Sequence, residues 1–152
     1  NVMSAVQLSR YFLPKMLDQN WGRILFISSE CAQLVPEDLI AYSTTKAALL
    51  SLSRGLAQTT KGTQVTVTAL LPGSTLTEGA VTFLKDQAIQ EDRSEEAVAE
   101  DFFKKTRTSS LLQRFAQPKE IADMALFLAS PLSAATNGAA IKVDGGSVPG
   151  IL

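Results

Sequence analysis

The sequence predicts an α/β domain built on a parallel sheet, and three observations carry that prediction. Two short runs, Arg23-Ile24-Leu25-Phe26-Ile27 and Gln64 to Leu71, have the length and the apolar or β-branched content of strands covered on both faces. A third, Ala139 to Val143, follows the turn signal Asn137-Gly138. Longer stretches of helical character separate the runs, and helix–strand alternation implies parallel strands joined by right-handed crossovers.

From Asn1 to about Asp18, Val2, Val6, Phe12, Leu13 and Met16 recur near helical spacing, and Pro14 is expected to kink or break that helix. Gln19-Asn20-Trp21-Gly22 ends it, with Gly22 suited to a left-handed cap or turn. After the first strand a loop runs from Glu30 to about Ile40, interrupted by Pro36. A helix rich in Ala, Leu and Ser carries Tyr42 and Lys46 and runs to about Thr60, where Lys61-Gly62 closes it. The second strand stops abruptly at Pro72-Gly73. From about Thr77 to Ser110 the chain is charged and helical in propensity, with Glu91-Asp92-Arg93-Ser94 dividing it into two helices. Pro118 in a first turn, followed by Glu120, starts another helix that Ser130-Pro131 ends. Asp144-Gly145-Gly146 is a turn after the third strand.

Composition narrows the chemistry. The 152 residues suit one domain or a portion of one, with 45% hydrophobic residues to build a core. A net charge of −1 argues against a nucleic-acid surface, which needs a concentrated excess of Lys and Arg. The single cysteine, Cys31, excludes an internal disulfide and a Cys-rich zinc site. With no histidine, neither a Ser-His-Asp triad nor a His-ligated metal is possible, and no metal is expected. No apolar run reaches the roughly 18 residues of a membrane span and nothing reads as a signal peptide, so a soluble cytoplasmic protein with no membrane partner is expected.

The chemistry centres on Tyr42-Ser43-Thr44-Thr45-Lys46 and on Ser29, thirteen residues ahead of the tyrosine. Tyr42 and Lys46, four apart, share one helix face about a turn from each other. A free phenol has a pKa near 10 and is a poor proton donor or acceptor at neutral pH. A fixed ammonium about one turn away favours the phenolate and brings it towards the working range. A serine hydroxyl from the end of the preceding strand can then hydrogen-bond the same substrate oxygen. This is chemistry for moving a proton on and off a carbonyl or alcohol.

Asn1, Ser29, Tyr42 and Lys46 together resemble the Asn-Ser-Tyr-Lys tetrad of the short-chain dehydrogenase/reductases. The ordered set extends through Ile27-Ser28-Ser29, Tyr42-x-x-x-Lys46, Pro72-Gly73 after an apolar strand, and Val143-Asp144-Gly145-Gly146, so the resemblance covers nearly the whole chain. It implies the C-terminal half of a Rossmann-like doubly wound parallel sheet, with residues 1–152 as the catalytic portion of that domain. It also implies an oxidoreductase using NAD or NADP on a small carbonyl or secondary-alcohol substrate. By resemblance Tyr42 is the general acid/base, and Lys46 both acts on the tyrosine and hydrogen-bonds the nicotinamide ribose. Ser29 polarises the substrate carbonyl, whereas Ser28 is expected to make a local backbone bond. Asn1 matches the asparagine that holds a water beside the lysine, its plainer role being a helix N-cap. Pro72-Gly73-Ser74-Thr75-Leu76-Thr77 matches the segment that contacts the nicotinamide carboxamide. The implied cofactor contacts are therefore Tyr42, Lys46, Pro72, Gly73, Thr75 and Thr77, with Thr75 departing from the family's usual Val or Ile. Glu30, Gln33 and the segment after Thr77 are candidates to face substrate, and Asp144-Gly145-Gly146 has no catalytic role. A homodimer or homotetramer, formed through the helices that start near Asn1 and Tyr42, is implied as well.

The family's Gly-rich phosphate loop and Asn-Asn-Ala-Gly segment have no counterpart in these 152 residues, which contain no G-x-G-x-x-G. The N-terminal dinucleotide-binding half, on the order of 100 residues of βαβ units, is thus absent. Without it the first strand has a bare apolar edge, and the 152-residue piece alone is expected to be inactive. Two other readings exist. One is a non-catalytic half-domain that dimerises without binding a dinucleotide. The other is acyl transfer through Ser43-x-x-Lys46, the nucleophile pattern of penicillin-binding proteins, but neither Ser-Asp-Asn nor Lys-Thr-Gly accompanies it.

Overall fold

The strand β2, Val65–Pro72, is the centre of the molecule. Every residue from Val65 to Leu71 is buried, as its composition requires of a strand covered on both faces. The computed structural model, which describes residues 1–151, pairs β2 in parallel with two neighbours. On one side is β1, Gly22–Ile27, in register from Gly22 beside Val65 to Ile27 beside Leu70. On the other is β3, Ala140–Val143, in register from Ala69 beside Ala140 to Pro72 beside Val143. The order is β1-β2-β3, so β1 has one edge unpaired among the described residues.

Side chains alternate across a strand, and the two faces take different helices. Ile24, Phe26, Val67, Ala69 and Leu71 pack against Leu49, Leu52, Leu56 and Ala57 of α3, Ile40–Thr59, and against Ala5 of α1, Val2–Asp18. The helix α6, Pro118–Ala129, lies against β1 and β2 from the opposite side. The helices α4 (Glu78–Glu91) and α5 (Glu95–Lys105) pack on each other through Leu84, Ala88 and Val98, with Phe83, Phe102, Phe103 and Phe115 in one aromatic group, Phe102 stacked on Phe115 and the other pairs edge-on. Because Leu71 is fully buried in the main cluster, Leu71→Ala should cost about 2–5 kcal/mol of stability. Denaturant unfolding with an unchanged m-value measures it.

Several local expectations change. The helix α1 runs unbroken past Pro14. The carbonyl that a residue-14 N–H would have bonded belongs to exposed Arg10, where water can replace it. Gly22 does not adopt the left-handed turn; Asn20 does, at φ 51°, and its side-chain oxygen accepts from Gln64 N. Gly22 begins β1, where a Cβ would fall about 2.5 Å from the Met16 side chain, so the glycine is kept for helix–strand contact. The segment after Glu30 contains the short helix α2, Cys31–Leu34, and a 3-10 turn at Glu37–Leu39 rather than a plain loop. The break at Glu91–Ser94 is as expected, with Asp92 left-handed and Ser94 capping α5. Among the described residues no helix is long and apolar enough to cross a membrane, and no cluster of His, Cys, Asp or Glu could hold a metal ion.

Candidate active site

Parallel pairing brings the C-terminal ends of β1 and β2 to the same side of the sheet. The ladder continues past the strands: Ser28 N donates to Leu70 O (2.8 Å) and Glu30 N to Pro72 O (3.0 Å). Ser28 is buried, and its hydroxyl donates to Lys46 O at 2.8 Å, fastening α3 to the end of β1. The local bond expected of Ser28 is made by Ser29 instead. Ser29, 8% exposed, accepts from Cys31 N at 3.1 Å, which starts α2 and still leaves the hydroxyl proton to donate.

Lys46 and Tyr42 lie on α3, as their spacing predicts. The Lys46 ammonium donates to Ile27 O at 2.9 Å and sits 5.5 Å from the centroid of the Tyr42 ring. Partial burial lowers the pKa of Lys46 from its ordinary value. Tyr42 is 39% exposed. Asn1 stands at the N-cap position of α1 but makes no side-chain capping bond: its side-chain NH2 donates to Thr45 Oγ1 (3.0 Å), which in turn donates to the backbone O of Tyr42 (2.8 Å). Asn1, Ile27 and Lys46 also line a cavity of about 450 Å³ that runs along β1 beneath Leu8 and Phe12 of α1. The structure therefore gathers Asn1, Tyr42 and Lys46 around the end of β1, where Ser29 follows.

The β2 end supplies Pro72-Gly73. Gly73 N donates to Val143 O (3.0 Å), and a Cβ on Gly73 would fall 2.6 Å from Asp144 Cα and 2.8 Å from Glu30 Oε2. Only glycine allows so close an approach between backbones. Gly73→Ala is expected to cost about 1–3 kcal/mol through overpacking, visible as a lower melting temperature. Thr75 and Thr77 have their hydroxyls in local bonds. Thr75 donates to Gly73 O (2.9 Å), and Thr77 caps α4 by accepting from Ala80 N (3.3 Å). Asp144 is a turn residue, accepting from Gly146 N and Val148 N.

Glu30 does not face substrate in this structure. It is 2% exposed, and its Oε1 accepts from Arg107 Nε at 3.2 Å. Arg107 carries no motif, and only three-dimensional structure pairs it with a residue 77 positions away. Gln33 is exposed. Burial pushes the Glu30 carboxyl above its ordinary 4.5 and Asp144 adds to this, against the Ser147 hydroxyl and Arg107, which pull it down. Between 4.5 and the raised value the folded chain binds more protons than the unfolded one. This group's contribution to stability is thus full at acid pH and lost as pH rises through that window. Glu30→Gln should flatten that part of the stability–pH curve, measured by thermal melts across the acid range.

The strand ends, with Lys46 held beside Tyr42 and the Pro72-Gly73 backbone at the exit of β2, are the groups that would meet the nicotinamide end of a dinucleotide. The glycine-rich loop that holds its phosphates is not among the 152 residues.

Known proteins resemble the chain over nearly all of its length. A family model described as enoyl-(acyl carrier protein) reductase matches residues 1–148. The uncharacterized oxidoreductase YvrD of Bacillus subtilis is 48% identical over 148 residues, 97% of this chain and 56% of that protein. The 3-oxoacyl-[acyl-carrier-protein] reductase FabG of Aquifex aeolicus is 31% identical over 146 residues, 96% of this chain and 53% of the relative. L-sorbose reductase from Gluconobacter frateurii, solved with NADPH and L-sorbose, superposes with a TM-score of 0.89 at 29% identity, covering 99% of this chain and 56% of that one. The chain spans about half the length of the relatives it matches. Its sheet is that half of their Rossmann-like α/β fold, and the chain belongs to the short-chain dehydrogenase/reductase family.

Proposed function

We propose that residues 1–152 are the catalytic half of an oxidoreductase that transfers hydride between a nicotinamide dinucleotide and a carbonyl or secondary alcohol. One observation carries this reading: the Lys46 ammonium is fixed by Ile27 O at the end of β1, 5.5 Å from the Tyr42 ring, one residue along from the Ser28-Ser29 strand end. The nicotinamide supplies or accepts the hydride when bound. Tyr42, Lys46 and the Pro72–Thr77 segment would hold its nicotinamide end, Lys46 through the ribose hydroxyls and the segment through its backbone. In the reducing direction Ser29 donates its free hydroxyl proton as a hydrogen bond to the substrate carbonyl oxygen. Tyr42 gives its proton to the oxygen as it becomes an alcohol, and the positive charge of Lys46 favours the tyrosinate left behind. Asn1, tied to the Tyr42 backbone through Thr45, holds a water beside Lys46 and re-supplies the proton. Oxidation runs the same steps in reverse.

The NADPH bound by the Gluconobacter relative and the oxoacyl substrate named for the Aquifex relative support a dinucleotide and a small carbonyl compound here. The acidic or basic group that separates NAD from NADP belongs to the other half of the domain. The groove of about 300 Å³ between α1 and α3, lined by Val6, Leu13, Pro14, Leu52 and Leu56, supports assembly through those helices as a homodimer or homotetramer. A cytoplasmic setting fits the single, buried, unpaired Cys31.

The test is Lys46→Met in the full-length protein, assayed with NADPH and NADH against a β-keto ester. The expected result is at least a ~100-fold fall in kcat/KM, with weaker binding of the dinucleotide in a fluorescence titration. Unchanged kcat and dinucleotide affinity in a folded variant would overturn the reading.

A further inference from the structure

We infer that Glu30 is a positioning residue, whose buried ion pair with Arg107 holds the Thr106–Ala116 segment against the strand ends and so shapes the substrate side of the site. This deepens the function proposed above and rests on it.

Three segments meet at Glu30: the end of β1, the exit of β2 and the stretch that carries Arg107. Glu30 follows Ser29 directly, and its own N–H bonds Pro72 O at the end of β2. Its Oε2 packs beside Gly73 and has no hydrogen-bond partner among the described residues, because the nearby Ser147 hydroxyl donates to Asp144 O instead. Its Oε1 takes the Arg107 Nε, and the Arg107 side chain is only 14% exposed. Arg107 leaves α5 with its N–H on Phe102 O, its guanidinium on Thr106 O and its face 5.7 Å from the Phe102 ring. Beyond Arg107 the segment is bonded to the turn after β3: Leu111 N and Leu112 N both donate to Gly145 O, and Ser109 donates to Ser147 O. At its far end Ala116 N donates to Ser74 O, and Leu76 N donates to Ala116 O. The segment thus crosses from the β3 turn to the β2 exit, and among the described residues the one charged contact that ties it to the β1 end is Arg107 on Glu30.

Stability does not account for that pair. A carboxylate taken out of water with one oxygen unpaired is a poor stabiliser, and an apolar pair of similar volume often serves a fold as well or better. The raised pKa of Glu30 agrees, since it means burial outweighs the attraction of Arg107. What the charges supply is register. A bond to the guanidinium fixes the segment one residue from the serine that polarises substrate.

The experiment compares full-length wild type with Glu30→Met, which loses the acceptor, and Glu30→Gln, which keeps an acceptor oxygen without the charge. Limited trypsin digestion is followed by mass spectrometry for cleavage after Arg107, and KM for a β-keto ester is read against kcat. Glu30→Met should speed cleavage after Arg107 at least tenfold and raise KM at least fivefold. NADPH affinity should change less than twofold, with Glu30→Gln intermediate in all. If Glu30→Met gives no cooperative melt, Glu30→Gln decides, with at least threefold faster cleavage expected. Cleavage and KM equal to wild type in a folded variant would overturn the latch. A full-length protein that turns over no carbonyl would instead sink the proposed function, while the cleavage after Arg107 still tests the pair.

Discussion

Tyr42→Phe in the full-length enzyme is expected to lower kcat by about 10²–10⁴-fold, the range of a positioned general acid/base, without moving the melting temperature. The two halves of that expectation have separate physical sources. Among the described residues none takes a hydrogen bond from the Tyr42 hydroxyl, and the side chain is 39% exposed, so removing one oxygen leaves no buried group unpaired. The phenol nevertheless belongs to the ring that α3 sets 5.5 Å from the Lys46 ammonium at the end of β1, which is why the proposed mechanism takes its proton there. Steady-state kinetics and a thermal melt of the same preparation measure both. A kcat within tenfold of wild type would remove Tyr42 from the mechanism.

The 152-residue chain by itself should show no NADPH or NADH oxidation above background, a larger loss than any point substitution here. On the proposed reading it carries only the nicotinamide end of a site, and its 152 residues contain no glycine-rich loop for the phosphates. It also exposes the edge of β1, where Ile27 is 49% exposed and Leu8 and Phe12 are uncovered beside it. An apolar strand edge of that kind invites pairing with another chain, so the isolated piece should also associate, as sedimentation would detect. Association without turnover is what a non-catalytic, dimerising half-domain would show as well. The full-length protein separates the two: only the catalytic reading predicts activity there. Turnover by the 152 residues alone would contradict the account of β1 and the missing loop.

The strands, the α3 helix and the Tyr42–Lys46 pair were legible because each rests on local spacing. A covered strand needs continuous apolar residues, and a helix places positions four apart on one face. The break between α4 and α5 was legible for the same reason, since a left-handed Asp92 and a capping Ser94 are written into four residues. What was not legible depends on partners far along the chain. Ser28 gives up its expected local bond because Lys46 O arrives beside it, and Ser29 makes a local bond as well as keeping a proton to donate. Gly22 is demanded by Met16, and the positive φ it was expected to supply falls to Asn20. Asn137, read as a turn, extends the β2 ladder by accepting from Val67 N while donating to Thr60. Glu30, a candidate to face substrate on sequence, is buried instead because Arg107 covers it. Each of these contacts joins segments that no periodicity relates.

The most direct test of the central claim follows the hydride itself. The full-length protein is given nicotinamide dinucleotide carrying deuterium at the transferable ring position, with a β-keto ester as acceptor, and the alcohol is analysed by mass spectrometry. The account predicts one deuterium at the new carbinol carbon with wild type, and the same label at a greatly reduced rate with Tyr42→Phe. Alcohol formed without deuterium, or at equal rates in the two proteins, would contradict it.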